Sequence, residues 1–189
     1  QLLFFGGDLA VSAMTIMLSM NQVLQLPMEG IAQGTQPIIS YNYGAKNYDR
    51  VRKTISLAIK VSLIYSVIGV LLMELLPGVF VRLFANEPQL IELSNQMLRV
   101  YIFGFIIMGA NSTYQQTYTS LGFGKRTFFF AFYRKIILLI PLIYILPTFI
   151  SNGVFAVMLA EPLSDLITTI TNTFAFKQFM HKYLNKKLS

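Results

Sequence analysis

Residues 9–53, LAVSAMTIMLSMNQVLQLPMEGIAQGTQPIISYNYGAKNYDRVRK, decide how the rest of the chain is read: an apolar helix carrying a lengthwise row of polar groups and ending in a basic loop. Ser12, Thr15, Ser19, Gln22, Glu29, Gln33, Gln36 and Ser40 follow one another at spacings of 3, 4, 3, 7, 4, 3 and 4 residues, which sets them on one face of a helix. The other faces are Met, Leu, Ile, Val and Ala. Such faces suit lipid or packed neighbours, whereas a face with a carboxylate and several amides should look into protein or an aqueous path. Glu29 is the focus of that stripe.

Composition points the same way. The chain has 189 residues, 54% of them hydrophobic and 12% charged, and a mean hydropathy of +0.58, values that place it in a bilayer rather than in water. The fold class read from these features is all-α: a polytopic membrane helix bundle with about five full transmembrane helices. They form a single lobe with spans near 11–40, 54–76, 95–119, 127–147 and 152–176. There is no cysteine, so neither a disulfide framework nor a thiolate metal site is available, and the one histidine, His181, lies in a basic tail. No nucleophile with a base, no metal-ligand cluster and no phosphate-binding glycine loop stands out, so the chain does not read as an enzyme, and no cofactor is called for. It lacks an initiating Met and a cleavable signal, and QLLFFGGD reads as the end of an apolar segment. A fragment is expected.

The formal net charge of +7 does not indicate nucleic acid. Lys46, Arg50, Arg52, Lys53 and Lys60 surround one connection, Lys125, Arg126, Arg134 and Lys135 another, and Lys177, Lys182, Lys186 and Lys187 end the chain. The intervening links hold Arg82 with Glu87 and Glu92, or no charge at all at 148–152. That alternation follows the positive-inside rule, while a nucleic-acid surface would gather the charge on one face. It predicts a multi-pass protein of the plasma or inner membrane, with 41–53, 120–126 and the C-terminus cytoplasmic and 77–94 and 148–152 external.

Along the chain, Pro27 and Pro37 are expected to bend the first span, and Gly30 with Gly34 forms a GxxxG step where a neighbour could come close. Asn86, Glu87 and Pro88 read as an N-cap, an acid and a proline in the first turn of the next helix. Lys60, Glu74, Arg134 and Lys135 lie toward span ends, close enough to the interface to reach headgroups. The third span turns polar at 111–119, where Asn111, Gln115 and Tyr118 share a face. Interhelical hydrogen bonds, or a pore or cation site, would each account for it. On the fifth span Glu161, Asp165, Thr168 and Asn172 recur at spacings of 4, 3 and 4. Counting residues at 1.5 Å each places Glu161 roughly 14 Å and Glu29 roughly 16 Å from their span ends, so two helices bring carboxylates to similar depth.

GIAQGTQPIISYNYGAKNYDRVRK resembles the segment after the eighth helix in the multidrug and toxic compound extrusion (MATE) family. LGFGKRTFFFAFYRKIILLIPLIYILP and GVFAVMLAEPLSD are similar to that family's tenth-to-eleventh connection and twelfth helix. The resemblance implies a C-terminal lobe of six-helix type that works against an N-terminal lobe of the same protein. It also implies export of cationic or amphipathic drugs and metabolites in exchange for Na⁺ or H⁺. In one respect the chain departs from the family: some branches carry an acidic residue in the tenth helix, and the corresponding span here has Asn111, Gln115 and Gln116 instead.

The function expected is therefore a cation-coupled antiporter. A flippase of related fold for lipid-linked sugars, or a structural or receptor membrane subunit, is the alternative. Carboxylates at mid-depth on two helices favour transport, since each costs a few kcal/mol there on insertion scales. Met14, Met17, Met20 and Met28, with Tyr114 and Tyr118, offer adaptable surface for amphipathic ligands, or ordinary lipid-facing residues. The candidate ion- and substrate-binding residues are Glu29, Gln33, Gln36, Asn111, Gln115, Tyr118, Glu161 and Asp165. Oxygen atoms of Glu29, Gln33, Asn111 and Gln115 would suit Na⁺, and Glu29 alone would suit H⁺. The plain reading of Glu29 is a neutral acid hydrogen-bonded to Gln33.

Overall fold

A 43-residue helix opens the bundle. In the computed structural model, which describes residues 1–185, α1 (Leu2–Gly44) is followed by α2 (Tyr48–Leu75), a short α3 (Pro77–Arg82), α4 (Pro88–Ile102) and α5 (Phe105–Ser120). Next come α6 (Gly124–Phe132), a π-helical stretch at Tyr133–Leu139 and α7 (Ile140–Phe149), which run as one rod; α8 (Gly153–Met180) ends in a π-helical turn, His181–Asn185. Four of these rods are long and apolar enough to cross a membrane, and α4 with α5, bent by 51°, passes the same test when the two are taken together. Among the described residues there is no strand. Lys186 and Lys187 lie outside the described residues.

At about 1.5 Å per residue α1 is far longer than a hydrocarbon core of roughly 30 Å requires. Its backbone leaves helical values at Gly7 (φ 60°) and not at Pro27 or Pro37, both inside the helix. Proline removes a hydrogen bond, but its fixed φ is itself helical. The expected N-cap Asn86 is likewise displaced by one residue: Glu87, extended at φ −78° and ψ 125°, precedes Pro88 at the first helical position. A proline ring forces the residue before it out of the helical region, so the boundary follows the proline.

α1 buries Ala13, Met17, Met20, Leu24 and Met28, a row at helical spacing on the side away from its polar stripe. Met17, Met20 and Met28 therefore do not offer a surface to ligands; they are core, where a flexible thioether fills gaps between helices. The core has two apolar clusters. One joins that row to Val70 and Met73 of α2 and Leu98, Ile102, Phe105 and Met108 of the α4–α5 pair. The other, toward the basic connections, gathers Ile39, Val51, Ile55, Tyr114, Tyr118, Phe176 and Phe179.

Between the clusters each helix contributes polar groups. Ser62 of α2 meets Thr113 of α5 at 3.2 Å, and α8 supplies Glu161, Asp165, Thr168 and Asn172, all buried. Gly109 lets α2 and α5 approach closely, since a Cβ there would lie 2.6 Å from the Ser62 carbonyl oxygen. Gly30 and Gly34 do not act this way: both are exposed, with nothing within 4 Å of where a Cβ would stand. The GxxxG spacing puts both on the outward side of α1, which the other described helices do not cover. The α6–α7 rod packs on α8 and is otherwise largely exposed.

Candidate ion and substrate site

The charges of the transmembrane region converge on one side of α8. Glu161 and Asp165, four residues apart, share a face there. Arg134 Nε donates to Asp165 Oδ1, and Arg134 Nη2 stands 3.7 Å from Glu161 Oε1. Lys135 Nζ donates to the same Glu161 oxygen at 2.7 Å. The Glu161 and Asp165 side chains are buried and that of Arg134 is partly buried, whereas that of Lys135 is 51% exposed.

Arg134 and Lys135 thus reach carboxylates of the neighbouring helix instead of headgroups, which corrects the expectation from their place in the sequence. The helix that carries them starts at Gly124, so Arg134 lies ten residues in, roughly 15 Å along the axis. It is the second residue of the π-helical stretch Tyr133–Leu139. The wider i→i+5 turn brings successive side chains closer round the axis, and such turns recur at functional sites. Here two consecutive cations face one helix.

A cavity of about 340 Å³ opens beside this cluster, lined from α1 by Asn21, Gln22, Gln25 and Glu29 and from the facing helices by Arg134, Lys135 and Glu161. Glu29 is half-buried at its wall and accepts a hydrogen bond from Gln25 Nε2 at 2.9 Å. Its partner is the residue one turn before it, not Gln33. Gln33 is exposed on the same stripe. A smaller pocket adjoins, bounded by Asn21, Tyr101, Glu161 and Asp165. The Tyr101 hydroxyl is buried there, facing Asn21 and Glu161.

The other candidate residues form two further groups. Asn172 Nδ2 donates to Asn111 Oδ1 at 2.7 Å, and the Tyr118 hydroxyl donates to Asn172 Oδ1 at 3.1 Å; all three residues are fully buried. Nearer the basic connections, Gln116 Nε2 donates to Gln36 Oε1 at 2.8 Å and Ser40 Oγ donates to the Ser120 carbonyl at 2.8 Å, tying α1 to α5. The Gln115 carbonyl accepts from Thr119 and from Thr127. The structure therefore brings Glu29 to Glu161, with Asp165 just behind, and keeps Asn111 with Tyr118 and Gln36 with Gln116 in separate contacts.

Sequence reasoning missed Arg134, Lys135, Asn21 and Gln25 as parts of this site. Two adjacent cations opposite two carboxylates one turn apart were the available signal for the first two. Asn21 lies one residue off the stripe's spacing, whereas Gln25, three residues after Gln22 and four before Glu29, continues it and was legible in the sequence.

The MatE family profile matches residues 3–145. The chain is 22% identical over 158 residues to the multidrug export protein MepA of Staphylococcus haemolyticus, covering 82% of this chain and 34% of MepA. Among solved structures, the MATE multidrug transporter DinF-BH in complex with R6G superposes with a TM-score of 0.82 at 31% identity, over 96% of this chain and 40% of that one. A MATE structure in the bent conformation superposes with a TM-score of 0.91 at 15% identity, over 99% of this chain and 41% of that one. The chain spans about a third of the length of MepA and about two fifths of these transporters.

Proposed function

The chain belongs to the MatE family, and on that premise we propose that it is one lobe of a cation-coupled exporter of cationic or amphipathic compounds, working against a second lobe in the plasma or inner membrane. The carrying observation is the cavity shared by Glu29, Arg134, Lys135 and Glu161. Three carboxylates, Glu29, Glu161 and Asp165, stand with two cations, Arg134 and Lys135. One negative charge is left over, and in a low-dielectric wall it favours uptake of a proton, a Na⁺ ion or a cationic substrate.

Two positive species that want the same carboxylate displace one another, and that competition, joined to the rocking of two lobes, yields exchange. Glu29 is the exchanging group in this reading. Arg134 already neutralises Asp165 and approaches Glu161, whereas Glu29 accepts a neutral amide hydrogen. The stripe around it, with Ser12, Gln22, Gln33 and Gln36 exposed, offers a hydrated wall to an opposing lobe. The names of MepA and of the DinF-BH complex, a multidrug export protein and a multidrug transporter holding R6G, support this substrate class. The basic connections lie on the cytoplasmic side in this reading.

Glu29→Gln tests it, since the amide keeps an acceptor for Gln25 and costs less in the membrane than a carboxylate. In the two-lobe protein expressed at the wild-type level, ion-dependent drug release should fall about tenfold or more, a change of about 1.4 kcal/mol in the barrier. Full resistance together with unchanged ion-dependent release would make Glu29 structural.

A further inference from the structure

On the face of the lobe away from Glu29, the bend between α4 and α5 leaves a second cavity. It is an apolar cleft of about 650 Å³ between this joint and α8, lined by Phe103, Ile107, Leu163 and Leu166 among others, with Arg99 its one charged residue. The joint packs tightly against the proline of α8: a Cβ on Gly104 would lie 3.0 Å from Pro162 Cα. Arg99 also borders a polar pocket of about 290 Å³ with Glu92, Asn95 and Gln96. These four residues, at 92, 95, 96 and 99, make one face of α4. An apolar slot and a polar pocket therefore meet at one arginine.

The level of that arginine gives the slot a direction. Arg99 Nε is 3.8 Å from Glu74 Oε1, and Glu74 is in the last turn of α2, next to where that apolar span ends. The polar pocket is thus at the membrane boundary and the slot runs from it toward the bilayer interior. Head out and tail in is how a phospholipid of that leaflet lies. The charges choose among headgroups. Arg99, 63% exposed, presents a guanidinium fork suited to a phosphate. Glu92 supplies a carboxylate, and Asn95 Oδ1 is buried with no hydrogen-bond partner. The exposed Glu92 carboxylate attracts a cation, and Asn95 Oδ1 is satisfied by one that carries an N–H.

We propose that this face is a binding site for an aminophospholipid of the phosphatidylethanolamine type: phosphate on Arg99, ammonium on Glu92 and Asn95, and one acyl chain in the cleft under the α4–α5 bend. A choline headgroup has no N–H to give Asn95, and a glycerol headgroup has no cation for Glu92. The lipid acts as a wedge at the joint of a bent helix.

Purifying the protein in mild detergent from vesicles with equal parts of phosphatidylethanolamine, phosphatidylcholine and phosphatidylglycerol, then weighing intact complexes by native mass spectrometry, tests the site. The wild type should keep phosphatidylethanolamine about tenfold over phosphatidylcholine, the worth of one hydrogen bond to a charged group. Glu92→Gln should erase that preference while lipid is still retained, and Arg99→Gln should lower retention of all three about tenfold. Leu163→Trp, which fills the cleft, should abolish retention with helical circular dichroism unchanged. Equal retention of the three headgroups by the wild type means annular lipid only and overturns the proposal, as does a preference that Glu92→Gln leaves intact. Loss of all lipid from a normally melting wild type overturns it too, and assigns the cleft to another helix or a second copy.

Discussion

Asp165 and Asn172 stand seven residues apart on one face of α8, two turns of one helix, yet their surroundings differ in kind. Asn172 is enclosed. It gives a hydrogen bond to Asn111 and takes one from Tyr118, and none of the three is exposed. Asp165 belongs to a charged cluster with Glu161, Arg134 and Lys135 whose outer edge opens on the cavity that holds Glu29. Neutral amides and hydroxyls can satisfy one another between helices and be closed over, at about 0.6 kcal/mol each. Ionised groups cost several kcal/mol apiece to take from water, so a cluster of them persists where partners are complete or water still reaches. The polar layer of this lobe is thus partly fastener and partly open site.

The comparison breaks most sharply at Arg134. Arg134→Leu leaves Asp165 without its partner and should destabilise the lobe by about 3–5 kcal/mol, read from unfolding in mixed micelles. Arg134→Leu combined with Asp165→Leu should recover most of that loss, since an apolar pair of similar volume can replace a buried ion pair. A single variant as stable as the wild type would mean that water already screens the pair and the cluster is open throughout.

Asn172→Leu should cost less, about 1–2 kcal/mol in the same measurement, because two neutral hydrogen bonds go and buried polar atoms of Asn111 and Tyr118 are left over. Equal losses for Asn172 and Arg134 would erase the distinction between the two patches. Tyr118→Phe removes one bond and keeps the ring against Phe130, Phe176 and Phe179, so its expected effect is the smallest, about 0.6 kcal/mol. A loss above about 2 kcal/mol would show that the network acts as a unit rather than as separate bonds.

Much of this could be read along the chain. The all-helical class, the long apolar rods and the polar face of α1 follow from apolar run length and 3.6-residue periodicity, which are local properties. Helix joints were less legible: the backbone breaks at Gly7 and bends at Phe103–Gly104, while the prolines of α1 stay within the helix. A proline's effect depends on what replaces its lost bond, and both joints fall at a glycine, a mark that other helical glycines such as Gly30 and Gly34 share without bending the chain.

Sequence by itself determined which polar groups the apolar helices carry and where along each they stand: Glu29, Glu161, Asp165, Asn111 and Asn172. Their partners were decided only by the tertiary structure. Arg134 and Lys135 could equally have pointed to headgroups; the early start of their helix at Gly124 and the π-helical turn at Tyr133–Leu139 direct them to α8. Met17, Met20 and Met28 became core and Gly30 and Gly34 outer surface by the same means. Position along an axis is fixed by counting along one helix, but the direction a side chain faces depends on how helices far apart in sequence pack together. That packing is a sum over many weak contacts that no single segment encodes.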